Sequence, residues 1–242
     1  MKKQLSVFML AARSSIYKVL LLFAGMAILE SVLFSITVKN NNYIFLEEIF
    51  KDFRLSILYF MFLISLVTLL INAVMGCKSH QEYMIDRFGI SKRATVFWWG
   101  LYNTFCIFIF NAVQIVLILV LLKNHLESVS YVSGNQTLFL AFYRSSVLHE
   151  LLPMDNWVSW IKNFLVPVAV GFDISYACCF KRKNGILAAI ILTALGVYEV
   201  IYPMHSGSYM NFANVSAIVA SLLVLVVIIY GLFRKEAYSD EE

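Results

Sequence analysis

Apolar residues in this chain gather into runs long enough to cross a bilayer, and they are separated by short polar stretches. A helix needs about 20 apolar residues to traverse ~30 Å of hydrocarbon. The runs predict spans over about 15–38, 55–76, 94–122, 157–180, 186–202 and 213–233. Lys39-Asn-Asn-Asn42 stops the first span, and Pro167 inside the fourth predicts a kink. The third run exceeds the minimum, so it must tilt, bend or project into water. Trp98 and Trp99 are placed to mark its inner interface, and Trp157 and Trp160 to anchor the fourth at the outer one. The predicted fold is all-α: a polytopic membrane bundle of six transmembrane helices forming one domain over 1–242.

Segments between the runs carry a second pattern. Met1 to Ser14 sets Leu5, Phe8, Met9 and Ala12 at helical spacing beside Lys2, Lys3 and Arg13, as in a basic helix lying on an anionic inner leaflet. It should enter the first span at an angle. A short cytoplasmic helix is expected around His80 to Phe88, with Gly89 placed to end it and Ser91 to cap the third span. The stretch Lys123 to Asn156, 34 residues long, is too long for a simple turn. Within it Leu140, Tyr143, Val147, Leu148 and Leu151 can share one face while Arg144, Ser145, His149 and Glu150 stay wet, which predicts an external amphipathic helix ending at Pro153.

Composition agrees with the pattern. Hydrophobic residues make up 61% and charged residues 14%, and the mean hydropathy is +0.79, which excludes a soluble fold. Charge then sets the orientation. Lys2, Lys3, Arg13, Lys18, Lys78, Arg87, Lys92, Arg93, Lys181, Arg182, Lys183, Arg234 and Lys235 fall on one side, against Lys39, Lys51, Arg54, Lys123, Arg144 and Lys162 on the other. The first side is cytoplasmic by the positive-inside rule, and both termini lie there. The net charge of +4 is therefore topology and not a nucleic-acid patch. Met1 to Ser14 leads straight into a run of spanning length, so no cleaved secretory signal is expected. Cys77, Cys106, Cys178 and Cys179 lack paired metal spacing and read as buried thiols, with no disulfide expected.

Catalytic motifs are missing. The chain has no G-x-x-x-x-G-K-[ST] loop and no G-x-S-x-G elbow, and His149-Glu150 lacks a second histidine one turn on. Glu47-Glu48 with Arg54 resembles the Glu-Glu-x-x-x-Arg signature of CAAX-type membrane proteases, but Asp52 stands where that arginine belongs. Asn135-Gln-Thr137 fits a glycosylation sequon. Carboxyls within spans are the better candidates, because a charge at bilayer depth costs at least ~2.5 kcal/mol and usually faces protein or a water-filled path. Glu30, Glu199 and Asp173 qualify as candidates for a substrate path or as inter-helix contacts, with Ser175 and Tyr176 close enough to Asp173 to neutralise it. Asn103, Asn111 and Gln114 in the third run are expected to bond between helices.

The order of parts resembles the permease subunit of ABC-2 type ATP-binding-cassette transporters. An entry helix and two spans precede a cytoplasmic loop reading His80-Gln-Glu-Tyr-Met-Ile-Asp-Arg-Phe-Gly-Ile-Ser-Lys-Arg93, and four spans follow. Arg87-Phe-Gly-Ile-Ser-Lys-Arg93 looks like the Arg-x-Gly-hydrophobic-Ser-basic pattern after the second span of such permeases. The resemblance covers the layout of nearly the whole chain and about a dozen residues of motif. It implies that a separate ATPase subunit, which holds ATP and magnesium, docks on this loop. It further implies a second permease copy or paralogue facing this one, a cell-membrane location, and export of a peptide, antibiotic or lipid-like molecule. Glu82, Asp86 and Arg87 would then make charged contacts to the ATPase, while Tyr83 and Phe88 fill a groove on it. The chain would be no enzyme and hold no cofactor itself. Familiar members place a re-entrant or external helix between spans five and six, whereas here Pro203 to Phe212 is short and the large external element follows span three, a departure that would mark a subfamily with a lid made from Thr137 to Leu152. A competing reading is a non-transporting membrane sensor or scaffold that acts through 123–156.

Overall fold

A computed structural model describes residues 2–41, 55–76, 91–128, 146–153, 156–180, 183–201 and 207–237. These form seven helices, with no strand among the described residues: α1 (Lys2–Asn41), α2 (Leu55–Gly76), α3 (Lys92–Ser128), α4 (Ser146–Leu151), α5 (Trp157–Cys179), α6 (Lys183–Ile201) and α7 (Gly207–Ala237). Among the described residues five stretches are long and apolar enough to cross a membrane: Ser15–Lys39, Leu55–Ala73, Lys92–His125, Trp157–Cys179 and Phe212–Phe233. The apolar stretch of α6, Gly185–Val197, is shorter.

Side-chain pairings fix the direction of each helix. Phe8 meets Tyr102, Phe23 meets Phe110 and Phe34 meets His125 with ring centroids 5.5, 6.0 and 6.0 Å apart, so α1 and α3 run in parallel. Gly100 faces Phe172 and Phe108 faces Phe164, so α5 runs against α3. Gly185 abuts Ala177 and Gly196 abuts Val166, which turns α6 back along α5. Asn214 bonds to Ser159 and Gly231 lies against Tyr176, so α7 follows the direction of α5. Tyr59 bonds to Asn111, and one turn on Leu63 shares a cavity wall with Ile107, so α2 also opposes α3. Neighbours in sequence therefore alternate in direction, and Lys2 and Ala237 lie at the same end of the bundle. Among the described helices nine Lys and Arg lie toward that end, and only Lys39, Lys123 and Lys162 toward the other.

The core sits on the α3–α5 seam, the broadest contact in the bundle. One apolar cluster draws on every helix, with Met26, Leu66, Phe110, Leu148, Ile174, Ala189 and Ala217 among its buried members. Ser91 caps α3 as expected: its hydroxyl accepts from the Ala94 N–H at 3.3 Å and its carbonyl from the Thr95 N–H at 3.1 Å. Trp157 is 84% exposed, consistent with its expected place at an interface.

Two expectations change. No break separates an entry helix from the first span: Lys2–Asn41 is one helix, with Val7 buried and Phe8 packed edge-on to Trp98 and Tyr102. The face predicted for the leaflet is thus partly core, and Met9 alone of its described members is exposed. Trp99 is buried, and Trp98 beside it is half-buried. Glu150, expected to stay wet, is buried on α4. The short cytoplasmic helix predicted over His80 to Phe88 lies outside the described residues, as do Leu140, Tyr143, Arg144 and Cys77. No disulfide joins Cys106, Cys178 or Cys179.

Candidate functional site

Beneath α4, toward the end of the bundle where α5 begins, α2, α3, α5 and α6 line a partly open cavity. A water molecule can be centred in about 40 Å³ of it, where one water needs only ~10–15 Å³. Its walls mix Leu63, Ile107, Val166 and Val170 with Tyr59, Asn111, Lys162, Asn163 and Thr193.

The polar wall is built by local sequence. Asn156 caps α5, its side chain accepting from the Val158 N–H at 3.0 Å. That cap fixes the start of the helix, so Lys162 falls five residues in and points inward, where its ammonium pairs with the Glu150 carboxylate. Both side chains are almost fully enclosed, at 2% and 6% exposure. A buried pair recovers its desolvation cost only when its geometry is good and its other polar neighbours are satisfied. Here Asn163, next in sequence, donates to the backbone carbonyls of Glu150 and Leu151, so two successive residues of α5 hold the last turn of α4. Pro153 follows that turn and ends the helix.

Pro167 adds another polar group. With no N–H at 167, the carbonyl of Asn163 lacks its intrahelical donor, and both residues line the cavity. Tyr59 donates to Asn111 Oδ1 at 3.0 Å across the α2–α3 seam. Thr193 turns its hydroxyl back onto the Ala189 carbonyl of its own helix. The arrangement can hold water or a small polar group beside the end of α4. It presents no nucleophile with an adjacent base, and among the described residues no cluster of His, Cys, Asp and Glu could hold a metal ion.

Sequence-predicted site residues lie elsewhere. Glu30 is fully buried on the α1–α3 seam and accepts from Gln114 Nε2 at 2.8 Å. Asp173 is buried on α5 facing α6, its Oδ1 standing 3.3 Å from where a Cβ on Gly185 would be. Ser175 does not neutralise it: that hydroxyl donates to the Gly171 carbonyl at 3.0 Å and accepts from Asn103 at 3.1 Å, while Asp173 Oδ2 has no hydrogen-bond partner among the described residues. Gln114 lies ten residues beyond Thr104, which packs on Gly171, and Asp173 lies two residues further the other way along the antiparallel α5, so the two carboxyls sit about 18 Å apart along the bundle on different seams. Neither lines the cavity. The side chain of Glu199 and the whole of Glu82, Tyr83, Asp86, Arg87 and Phe88 lie outside the described residues. Asn103, Asn111 and Gln114 each bond across a helix seam, as the third run predicts. Lys162 reads in the sequence as one more outer-side charge. The signal that marks it is its position inside an apolar run, the same test that singles out Glu30.

No protein-family model, curated protein or solved structure matches this chain. Its class rests on its own features: an all-helical bundle with five helices long and apolar enough to cross a membrane, the makeup of a multi-pass membrane protein.

Proposed function

We propose that this chain is the permease subunit of an ABC-2 type exporter, a six-span membrane protein driven by a separate ATPase. The observation that carries the reading is the placement of the Arg87-Phe-Gly-Ile-Ser-Lys-Arg93 pattern. It runs from the connection after α2 into the first two residues of α3, and the end of α2 and the start of α3 both lie at the basic end of the bundle. By the positive-inside rule that end faces the cytoplasm, together with both termini. An ATPase docked there would push on Glu82 to Phe88, and the 37-residue α3 would carry the motion to the far side as a rigid element. α6 supplies the sixth span: its 19 residues reach about 28 Å, close to the hydrocarbon thickness. The cavity beneath α4 then opens toward the outer half of the membrane, where an amphipathic peptide, antibiotic or lipid-like substrate would leave, between this chain and a second copy or a paralogue.

The test is co-purification from native membranes. The wild-type chain brings down an ATPase with a phosphate-binding loop, and the Tyr83→Ala/Arg87→Ala double variant loses it while inserting normally. A wild-type chain that recovers no ATPase, or a double variant that keeps it, overturns the proposal.

A further inference from the structure

The α1–α3 seam holds a buried pair that lies outside the cavity. Glu30 and Gln114 are each 0% exposed, and the amide Nε2 of Gln114 donates to Glu30 Oε1 at 2.8 Å. That bond leaves Glu30 Oε2 and Gln114 Oε1 buried without a hydrogen-bond partner among the described residues. Both orphans are acceptors, and they belong to two groups already joined to each other. Buried polar groups are paired almost without exception, and a bare carboxylate in hydrocarbon is costlier still. A single proton on Oε2 removes the charge and converts one orphan into a donor. Acid and amide are then complementary: N–H to carbonyl in one direction, O–H to carbonyl in the other. Turning the Gln114 amide by half a rotation sets its oxygen against a carboxylate oxygen, which again requires a proton between them.

Among the described residues no neighbouring charge offers another solution. Met26 to Phe34 on α1 and Phe110 to Ile118 on α3 contain no other titratable residue. α2, packed on both helices, contributes only Tyr59, which is engaged with Asn111. Farther along the two helices lie Lys18 and Lys39 on α1, and Lys123 and His125 on α3, with the His125 ring edge-on to Phe34.

We propose that Glu30 is a proton-binding site, held as the neutral acid at neutral pH with its O–H donated to Gln114 Oε1, and that the two bonds clasp α1 to α3. The inference stands whether or not an ATPase docks on the chain. Infrared spectroscopy of the full chain in lipid at neutral pH tests it directly. The expected result is a protonated-carboxyl C=O band that Glu30→Gln removes and Asp173→Asn leaves in place. In Gln114→Leu that band moves to higher frequency as its carbonyl loses the amide donor. A difference spectrum of wild type and Glu30→Gln that shows only carboxylate bands overturns the proposal. Thermal unfolding gives an independent readout. Glu30→Gln places an N–H where the O–H was and keeps the wild-type midpoint, whereas Glu30→Leu and Gln114→Leu lower it. A Glu30→Gln midpoint as low as that of Glu30→Leu shows that the charge itself is needed and overturns the clasp.

Discussion

Gly171 of α5 lies directly against the backbone of Thr104 of α3: a Cβ at 171 would stand 2.7 Å from the Thr104 nitrogen and 3.0 Å from its Cα. Helices in lipid gain nothing by expelling water, so their association depends on close backbone approach and on hydrogen bonds across the seam. Both are present at this point. Gly100 accepts the Phe172 ring into the same seam, and Asn103 reaches over to the Gly171 carbonyl at 3.4 Å and to Ser175 Oγ.

Substitution separates this glycine from an ordinary one. Gly171→Ala drives a methyl group into backbone that cannot rotate away, and the expected loss is about 1–3 kcal/mol. At Gly25 of α1 an added methyl group would meet nothing within 4 Å, so Gly25→Ala costs nothing and can gain about 0.5–1 kcal/mol through the backbone. Thermal unfolding in one detergent measures both. Equal effects at the two positions would refute the close-approach account.

Lys162 and Glu150 give a sharper contrast. Lys162→Met leaves the Glu150 carboxylate buried without its ammonium, a loss of about 3–5 kcal/mol. Removing both charges, as Lys162→Met with Glu150→Leu, should restore most of that stability, because an apolar pair avoids the desolvation cost altogether. Denaturant titration of the two singles and the double closes the cycle. A double variant as unstable as Lys162→Met alone would mean that the pair does not act as a unit.

What the sequence disclosed and what it hid divide along physical lines. Apolar runs mark the helices well, and the predicted 55–76 coincides with Leu55–Gly76 because polar chain flanks it on both sides. The start of α1 misleads because Lys2, Lys3 and Arg13 look like a boundary, yet the helix runs unbroken from Lys2 to Asn41 and buries Val7 in its second turn. Asn103, Asn111 and Gln114 were legible, since an amide at bilayer depth must find a partner in the bundle. The partners themselves were not legible. Whether Ser175 serves Asp173 or Asn103, and whether Glu150 meets water or Lys162, depends on how helices dock, which periodicity does not encode.

Asn103 lends itself to a coupling measurement. Its amide donates to Ser175 Oγ at 3.1 Å within a fully buried stretch of the α3–α5 seam. Interhelical bonds of this kind are worth roughly 0.6–2 kcal/mol in membrane proteins. Asn103→Ala and Ser175→Ala, alone and combined, should show a coupling of that size in a double-mutant cycle. Strict additivity would mean that the Gly171 carbonyl, and not the Ser175 hydroxyl, is the partner that matters.

The number of crossings is open to a test of parity. If α6 spans, the ends of α1 and α7 share one side of the membrane; if it does not, they lie on opposite sides. In a chain whose four cysteines are replaced by serine, single cysteines at Lys3, Asn124 and Lys235 report the three positions. An impermeant maleimide applied to intact cells should label Asn124→Cys, because Asn124 is exposed at the far end of α3. Lys3→Cys and Lys235→Cys should react only after the membrane is opened, if the proposed cytoplasmic placement of that basic end holds. Labelling of Lys235→Cys but not Lys3→Cys in intact cells would remove α6 from the spans and leave five. The antiparallel packing of Gly185 on Ala177 and Gly196 on Val166 argues for the even count, since it carries α6 back along about half the length of α5.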